Sequence, residues 1–427
     1  MKDLFDLLRL RHGAYSVSSL LIALQIVTAL SNFVITPLVI SKLGGHSYAL
    51  WITVNAFSGL LLLADWGFLN TFRVRMTKIY VQESLFVQAI WKKAFLYMHF
   101  SAVIGVCLLA FTIPRSPLNS EHWQGRNLSL FTLGILTAYL TLFEHLFLVK
   151  SQILGSELKS TLILVVFRTL EGFTQVLLLI IHPSVYSIFW VSLIFRFGSL
   201  FSIAWSVPRN LKSSILNDPY RTSMGGVLKE SVGSSMFVLS NVIYNNVLTL
   251  ILSKILTTEL LVVVQISRML VSPIRIIGSS ISMGTLQYQL QTNLRNAEDY
   301  QKFNRRTQLH FFLILLVCAI FISIFASQIW EVFFSNIFGF SRMLIIMFAL
   351  QYLLDSMIWL NSRDFYNRNR LLKLGLCNLM LSTFAILSIP FFFTQFDILG
   401  VPITLVMFDI IFLSTILSPR GEKWLFQ

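Results

Sequence analysis

Charge is what this sequence has little of. Only 12% of its 427 residues are Asp, Glu, Lys or Arg, and 56% are hydrophobic. A soluble globular chain carries roughly a quarter charged residues, so this composition, with a mean hydropathy of +0.74, excludes a soluble domain. Cysteine is also scarce. Cys107, Cys318 and Cys377 each lie in an apolar run, which excludes a disulfide framework or a thiolate metal site. Seven histidines are scattered along the chain with no H-E-x-x-H or Cys/His grouping. No metal and no cofactor are therefore expected. A G-x-x-x-x-G-K-[ST] phosphate loop is absent, which excludes nucleotide hydrolysis by that route.

What is present is apolar sequence in runs of membrane-spanning length, about 20 residues each. They fall at Ala14–Ile35, Tyr48–Phe68, Ala94–Ile113, Leu128–Val149, Ser160–Ile181 and Tyr186–Val207 in the first half of the chain. The second half has Val232–Leu252, Leu260–Met283, His310–Gln328, Met343–Asn361, Leu374–Thr394 and Leu399–Ser418. Twelve helices are predicted: an all-α polytopic membrane protein. The first run follows Lys2, Arg9 and Arg11, exceeds a signal-peptide core and has no A-x-A site after it, so it reads as a retained helix.

The formal charge of +14 has its explanation in topology rather than in nucleic acid. With the N-terminus cytoplasmic, the outer loops hold only Lys42, Arg115, Arg126, Lys254 and Arg342. Arg168, Arg196, Arg268 and Arg275 lie inside helices, and every other Lys and Arg of the 33 falls on the cytoplasmic side. That bias predicts an N-in, C-in orientation. It also leaves only short outer loops, which argues against a polymerase or glycosyltransferase with an external catalytic domain. No enzyme is expected.

A weak repeat divides the chain. LVISKL at Leu38–Leu43 and LILSKI at Leu250–Ile255 each follow an odd-numbered helix at nearly half-chain offset. Two parallel six-helix bundles, 1–215 and 216–427, are the expected domains.

The twenty residues LILVVFRTLEGFTQVLLLII, Leu162–Ile181, carry Arg168 and Glu171 three apart. An ionisable group at the bilayer centre costs at least about 2.5 kcal/mol, so such groups face a bundle interior or a cavity. Asp65, Glu144 and Asp355 lie near the cytoplasmic ends of their helices, within reach of the interface. The deeper set is Arg168, Glu171, Arg196, Arg268, Arg275 and Asp409, four positive and two negative. Helical spacing places several on polar faces: Arg168, Glu171 and Gln175; Ser192, Arg196 and Ser199; Arg268, Ser272 and Arg275. Thr137, Thr141 and Glu144, then Asn241, Asn245 and Thr249, and Asn55, Ser58 and Asp65, form similar stripes. Two readings stand open. Arg168 and Glu171 form a neutral pair within one turn that only packs helices, or they belong to a net-positive cavity. In the second reading Arg168, Arg196, Arg268, Arg275, Asn55, Asn241 and Asn245 line a substrate path. Glu171, Asp409, Asp65, Glu144 and Asp355 then serve ion coupling or charge pairing, and Pro273 is a hinge within the eighth helix.

From Leu43 to Phe68 the chain reads LGGHSYALWITVNAFSGLLLLADWGF. With Leu43-Gly44, Tyr48, Leu50-Trp51, Asp65 and Gly67, this resembles the second-helix region of polysaccharide translocases. These are the O-antigen flippases of the multidrug/oligosaccharidyl-lipid/polysaccharide exporter superfamily. The resemblance implies two six-helix bundles in a V around a cavity open to one side at a time, as in MATE transporters. It implies an undecaprenyl-diphosphate-linked glycan as substrate, moved across a bacterial inner membrane with an ion gradient as energy source. A polysaccharide polymerase and a chain-length regulator are the implied protein partners, with the phospholipid bilayer as medium and no nucleic acid. Arginines suit the diphosphate, since the guanidinium fork matches phosphate geometry. A multidrug or cation antiporter of the same superfamily is the alternative, and it would favour acidic rather than basic bundle interiors. The cytoplasmic segments Asn70–Lys93 and Arg209–Lys229 would dock partner enzymes or hold anionic lipid.

Overall fold

The computed structural model describes residues 2–65, 68–69, 71–72, 84–112, 126–154, 156–207, 224–292, 297–334, 340–367 and 371–417. Gly67 and residues 73–83 and 208–223, including Arg209, lie outside the described residues. Among those described, helix is the only regular structure.

The run Lys2–Gly59 is broken at Gly44, whose φ is +83°. That angle costs an L-residue roughly 1–2 kcal/mol and glycine almost nothing. No atom stands within 4 Å of a Cβ built there, so the break depends on backbone freedom and not on a close neighbour. We therefore treat residues 2–43 as α1 and residues 45–59 as α2, which a 3-10 turn continues through Leu60–Asp65. Next come α3 (Ser84–Thr112), α4 (Arg126–Ile153), α5 (Glu157–Ile181) and α6 (Val185–Ser206). Helix α7 covers residues 224–255 and contains a π-turn at Ile243–Val247. Helices α8 (Thr258–Thr292), α9 (Ala297–Phe334), α10 (Arg342–Asn367), α11 (Leu371–Phe396) and α12 (Gly400–Leu417) complete the chain.

Nine runs among the described residues are long and apolar enough to cross a membrane. Two of them, Ala23–Asp65 and Leu372–Leu417, are 43 and 46 residues long, about twice what one crossing needs. Gly44 divides the first. The 3-10 turn Asp397–Leu399 divides the second, with Asp397 at φ 53°. Helix α3, at 29 residues, has spanning length as well. The all-α polytopic plan of about twelve helices is thus the observed one. The boundaries differ from the apolar runs where polar residues extend a helix. Helix α9 begins at Ala297 rather than His310, because Glu298, Asp299, Lys302 and Arg305 continue its turns in sequence that hydropathy leaves out.

By contact the chain divides into two compact units. One comprises Met1–Gly45, Leu256–Arg370 and Leu381–Gln427; the other comprises His46–Ile255 and Leu371–Met380. The chain passes between units just after LVISKL, at Gly45, and again at the end of LILSKI, at Ile255. Both copies of the repeat therefore end the helix that hands the chain over. This grouping assigns residues 1–45, 216–255 and 371–380 differently from a halving at residue 215.

In the unit containing His46–Ile255, α6 packs along both α4 and α5, and the 3-10 turn after α2 packs on α3, α4 and α7. In the other unit α10 is central, packed on α8, α9 and α12. Phe33 of α1 meets Phe333 of α9 edge-on, with ring centroids 4.8 Å apart.

Small residues set two close helix contacts. A Cβ on Gly134 of α4 would overlap Ser58 of α2, and one on Gly278 of α8 would overlap Ser356 of α10. Close approach at glycine and serine is how helices gain van der Waals contact where no hydrophobic force drives them together. Replacing Gly278 with alanine would put a methyl 2.5 Å from Ser356 Oγ. Gly278→Ala is expected to cost about 1–3 kcal/mol by overpacking. It should lower the thermal midpoint of the purified protein in detergent, and Ser356→Gly, which removes both the Oγ and the Cβ that the methyl would meet, should restore part of the loss. An unchanged midpoint for Gly278→Ala would contradict the contact.

Candidate functional site: two buried charge clusters

Helix α5 shows how the first cluster arises. Its buried residues are Ser160, Thr161, Leu164, Arg168, Glu171, Gly172, Gln175 and Leu179. These recur every three or four positions and make one inward stripe. Leu162, Val166, Leu170, Phe173, Leu177 and Ile180 form the exposed apolar side. The charges therefore turn away from lipid and into the packing with α4 and α6.

Four ionic side chains and a serine meet there. Arg168 Nη1 donates to Glu171 Oε2 at 2.6 Å. Arg168 Nη2 donates to Glu144 Oε2, reaching across to α4. From α6, Arg196 Nη1 donates to Glu144 Oε2 at 3.3 Å, and Arg196 Nε lies 3.6 Å from Glu171 Oε2. Ser199 Oγ donates to Glu144 Oε1. The Glu144 side chain is 1% exposed. One turn further along α5, Gln175 Nε2 donates to Ile188 O at 3.2 Å and to Ser192 Oγ at 2.8 Å, tying α5 to α6 again.

The intrahelical pair of the first reading does form. It is part of a larger interhelical group, however. Glu144 was expected within reach of the interface. It is instead enclosed between three helices, because its position on α4 faces Arg168 and Ser199 rather than the helix end.

The second cluster is in the other unit. Arg275 Nε of α8 pairs with Asp355 Oδ2 of α10 at 3.1 Å, and its guanidinium carbon lies 6.0 Å from the centre of the Tyr352 ring. One turn away on α10, Gln351 Nε2 donates to Asp409 Oδ2 of α12 at 3.0 Å. Arg268, seven residues before Arg275 on α8, is buried as well. The helix runs through Pro273, which is exposed, as one continuous element.

With Glu144 and Asp355 included, the intramembrane set has two arginines and two carboxylates on α4, α5 and α6 and the same numbers on α8, α10 and α12. The excess positive charge counted from the deepest residues alone is not retained, since two of the three acids set aside as near the interface, Glu144 and Asp355, pair with deep arginines. Gln351 and Ser199 belong to the clusters but were not among the expected site residues. Spacing offered a signal for both: Gln351 stands four residues before Asp355, and Ser199 three after Arg196.

The remaining candidates lie apart from these clusters. Asp65 Oδ1 accepts Leu69 N at 2.8 Å, in the manner of a helix cap. Asn55 is exposed on α2. Asn241 and Asn245, on the turns around the π-turn of α7, donate to Phe237 O at 2.9 Å and to Asn241 O at 2.7 Å. The neighbouring Asn246 lies against Gly59 of α2, at a distance that leaves no room for a Cβ on that glycine.

Removing one member of a buried ion group leaves its partners uncompensated, at about 3–5 kcal/mol. Arg168→Ala is expected to destabilise the protein by that order, read as a lowered thermal midpoint in detergent. Adding Glu171→Ala should recover part of the loss, since contacting residues do not behave additively. A double variant as unstable as the sum of the two single ones would contradict direct coupling.

No protein-family model matches this sequence, and no curated protein matches it. Solved structures do match in fold. The chain is similar to a MATE transporter in the straight conformation, with a TM-score of 0.68 at 17% identity over 97% of this chain and 95% of that one. It is similar to a MOP superfamily transporter from Pyrococcus furiosus, with a TM-score of 0.69 at 17% identity over the same shares. It is also similar to an inward-facing multidrug resistance MATE family transporter of the MOP superfamily. There the TM-score is 0.61 at 18% identity, over 96% of this chain and 98% of that one. These are transporters and not enzymes. The chain is a multi-pass membrane protein with the fold of the MATE transporters of the MOP superfamily.

Proposed function

We propose that this protein is a flippase for polyprenyl-diphosphate-linked oligosaccharide. It moves an O-antigen or similar surface-polysaccharide repeat unit from the cytoplasmic to the periplasmic leaflet of a bacterial inner membrane. It works by alternating access, with N- and C-termini cytoplasmic, and an ion gradient supplies the energy. The halves 1–215 and 216–427 are the duplicated unit in this reading. A polysaccharide polymerase and a chain-length regulator are its partners.

One observation carries the reading. Arg196 and Arg275 are each held by a carboxylate and still keep 21% and 26% of their side chains exposed. A partly exposed guanidinium held in place by carboxylates suits a phosphate better than a cationic drug. The sequence from Leu43 to Phe68 adds support through its resemblance to polysaccharide translocases. The Pyrococcus furiosus transporter, for which a binding pocket of reversed polarity suggests a different function, is a precedent for judging substrate class by charge within this fold.

A second reading, a multidrug or cation antiporter, is favoured by the equal numbers of arginines and carboxylates in each cluster and by the multidrug transporter among the similar structures.

The test is the sidedness of lipid-linked oligosaccharide in vesicles containing the purified protein, probed with an impermeant glycan label. Protein-dependent transfer under an imposed ion gradient is expected, with a loss of at least tenfold in rate for Arg196→Ala, the order of one charge-assisted contact. No transfer, together with drug sensitivity in a strain lacking the gene, would favour the antiporter.

A further inference from the structure

From Ser47 to Asp65 a single residue is exposed, Asn55, near the middle of that crossing. Every other residue of the stretch is buried or half-buried. A lipid-facing helix shows exposed apolar side chains every three or four positions, as α5 does with Leu162, Val166, Leu170 and Phe173. Helix α2 shows none, so Asn55 marks an opening in a protein-enclosed helix and not a face turned to lipid. Gly59 stands one turn further along the same face. There Asn246 of α7 lays its carboxamide across α2: a Cβ built on Gly59 would stand 2.5 Å from Nδ2, 2.9 Å from Cγ and 3.0 Å from Oδ1. Asn246 belongs to the π-turn Ile243–Val247, a distortion that often accompanies functional sites. The other two asparagines of α7 spend their amides on backbone, Asn241 on Phe237 O and Asn245 on Asn241 O. Asn246 is half-buried, and among the described residues neither its side chain nor that of Asn55 makes a hydrogen bond.

We infer that Asn55 and Asn246 form a subsite for the neutral hydroxyls of a sugar ring, with Gly59 as the positioning residue that lets the second carboxamide lie beside the first. This rests on the flippase reading, which supplies the glycan. Two carboxamides inside a membrane crossing carry donors and acceptors that hydrocarbon cannot satisfy. Water meets them when the site is empty, and a ligand must offer both kinds of group to replace it. A carboxamide has a carbonyl acceptor and an amino donor side by side, and adjacent ring hydroxyls present the complementary pair. A phosphate has only acceptors and a metal ion only an acceptor's partner, so each would leave half of every carboxamide unused. Charge is held elsewhere in the same unit. Gly134 of α4 meets Ser58 of α2, whereas Glu144 follows ten residues later, about 15 Å along α4. The head group is therefore held at two places, by its phosphate near Arg196 and by its sugar at the asparagines.

The experiment compares two ligands on the purified full-length protein in phospholipid nanodiscs, free of glycoside detergents whose hydroxyls would compete. One is lipid-linked oligosaccharide extracted from the organism's own membranes; the other is bare undecaprenyl diphosphate. The quantity read is the ratio of their affinities. Wild type is expected to prefer the glycan-bearing lipid by at least about tenfold, the order of two neutral hydrogen bonds. Asn55→Ala and Asn246→Ala should each cut that preference by about fivefold and leave the affinity for the bare lipid as it was. Arg196→Ala should weaken both ligands alike and keep the ratio. Gly59→Ala removes no polar group, yet its methyl displaces the Asn246 amide, so the preference should fall as it does for Asn246→Ala. Neither asparagine variant should lower the thermal midpoint, since neither loses a hydrogen bond within the protein.

A preference that survives unchanged in both asparagine variants would overturn the inference. So would equal losses for the glycan-bearing and the bare lipid, because that is the mark of a packing role. Wild-type binding of both lipids with no preference between them would remove this inference and leave the flippase reading. Binding of neither would remove the flippase reading, and this inference with it.

Discussion

A bilayer core offers a carboxylate no solvent, so a glutamate placed there constrains every helix around it. Glu144 is that group in the unit formed mainly by His46–Ile255. It draws Arg168 from α5 and both Arg196 and Ser199 from α6. Three helices thereby acquire a common register that lipid-like packing would not impose by itself, since apolar side chains gain nothing by preferring one another to lipid tails. Glycine and serine contacts then let the helices close. Gly134 approaches Ser58, and Gly198 of α6 approaches the Phe167 ring of α5.

The other unit uses the same chemistry with a different distribution. Its charges form two separate contacts one turn apart along α10, Asp355 with Arg275 and Gln351 with Asp409. The cluster around Glu144 is compact and shares its donors; the contacts on α10 are split, with Gln351 and Asp409 buried and Arg275 and Asp355 partly exposed. A compact neutral cluster resists the loss of any member, and a partly exposed member is the one most easily drawn out. That contrast between Arg168 and Arg196 would link the energetics of packing to the proposed transport.

Several features were legible in the sequence because they are local. The inward stripe of α5 follows from 3.6 residues per turn, and Arg168, Glu171 and Gln175 lie on it as their spacing requires. The apolar runs located the crossings, since about 20 residues of low polarity have few other uses. Other features were not legible. Depth along a helix suggested that Glu144 and Asp355 sit near the interface. Their environment depends on which neighbour faces them, and that is a property of three helices together. The break at Asp397 falls in the gap between the runs Leu374–Thr394 and Leu399–Ser418, but the left-handed backbone of that aspartate left no mark in the sequence.

The sequence by itself determined that the chain is a polytopic helical membrane protein, which residues form each crossing, and which charges must turn inward. Those follow from hydropathy and helical period, both summed over neighbours in the chain. The tertiary structure alone decided which charge meets which. Glu144 and Arg168 are 24 residues apart, and Glu144 and Arg196 are 52 apart. Only the packing of α4, α5 and α6 brings them within ion-pair distance, and with that packing the balance of charge in the cluster changes from an apparent excess of arginine to neutrality.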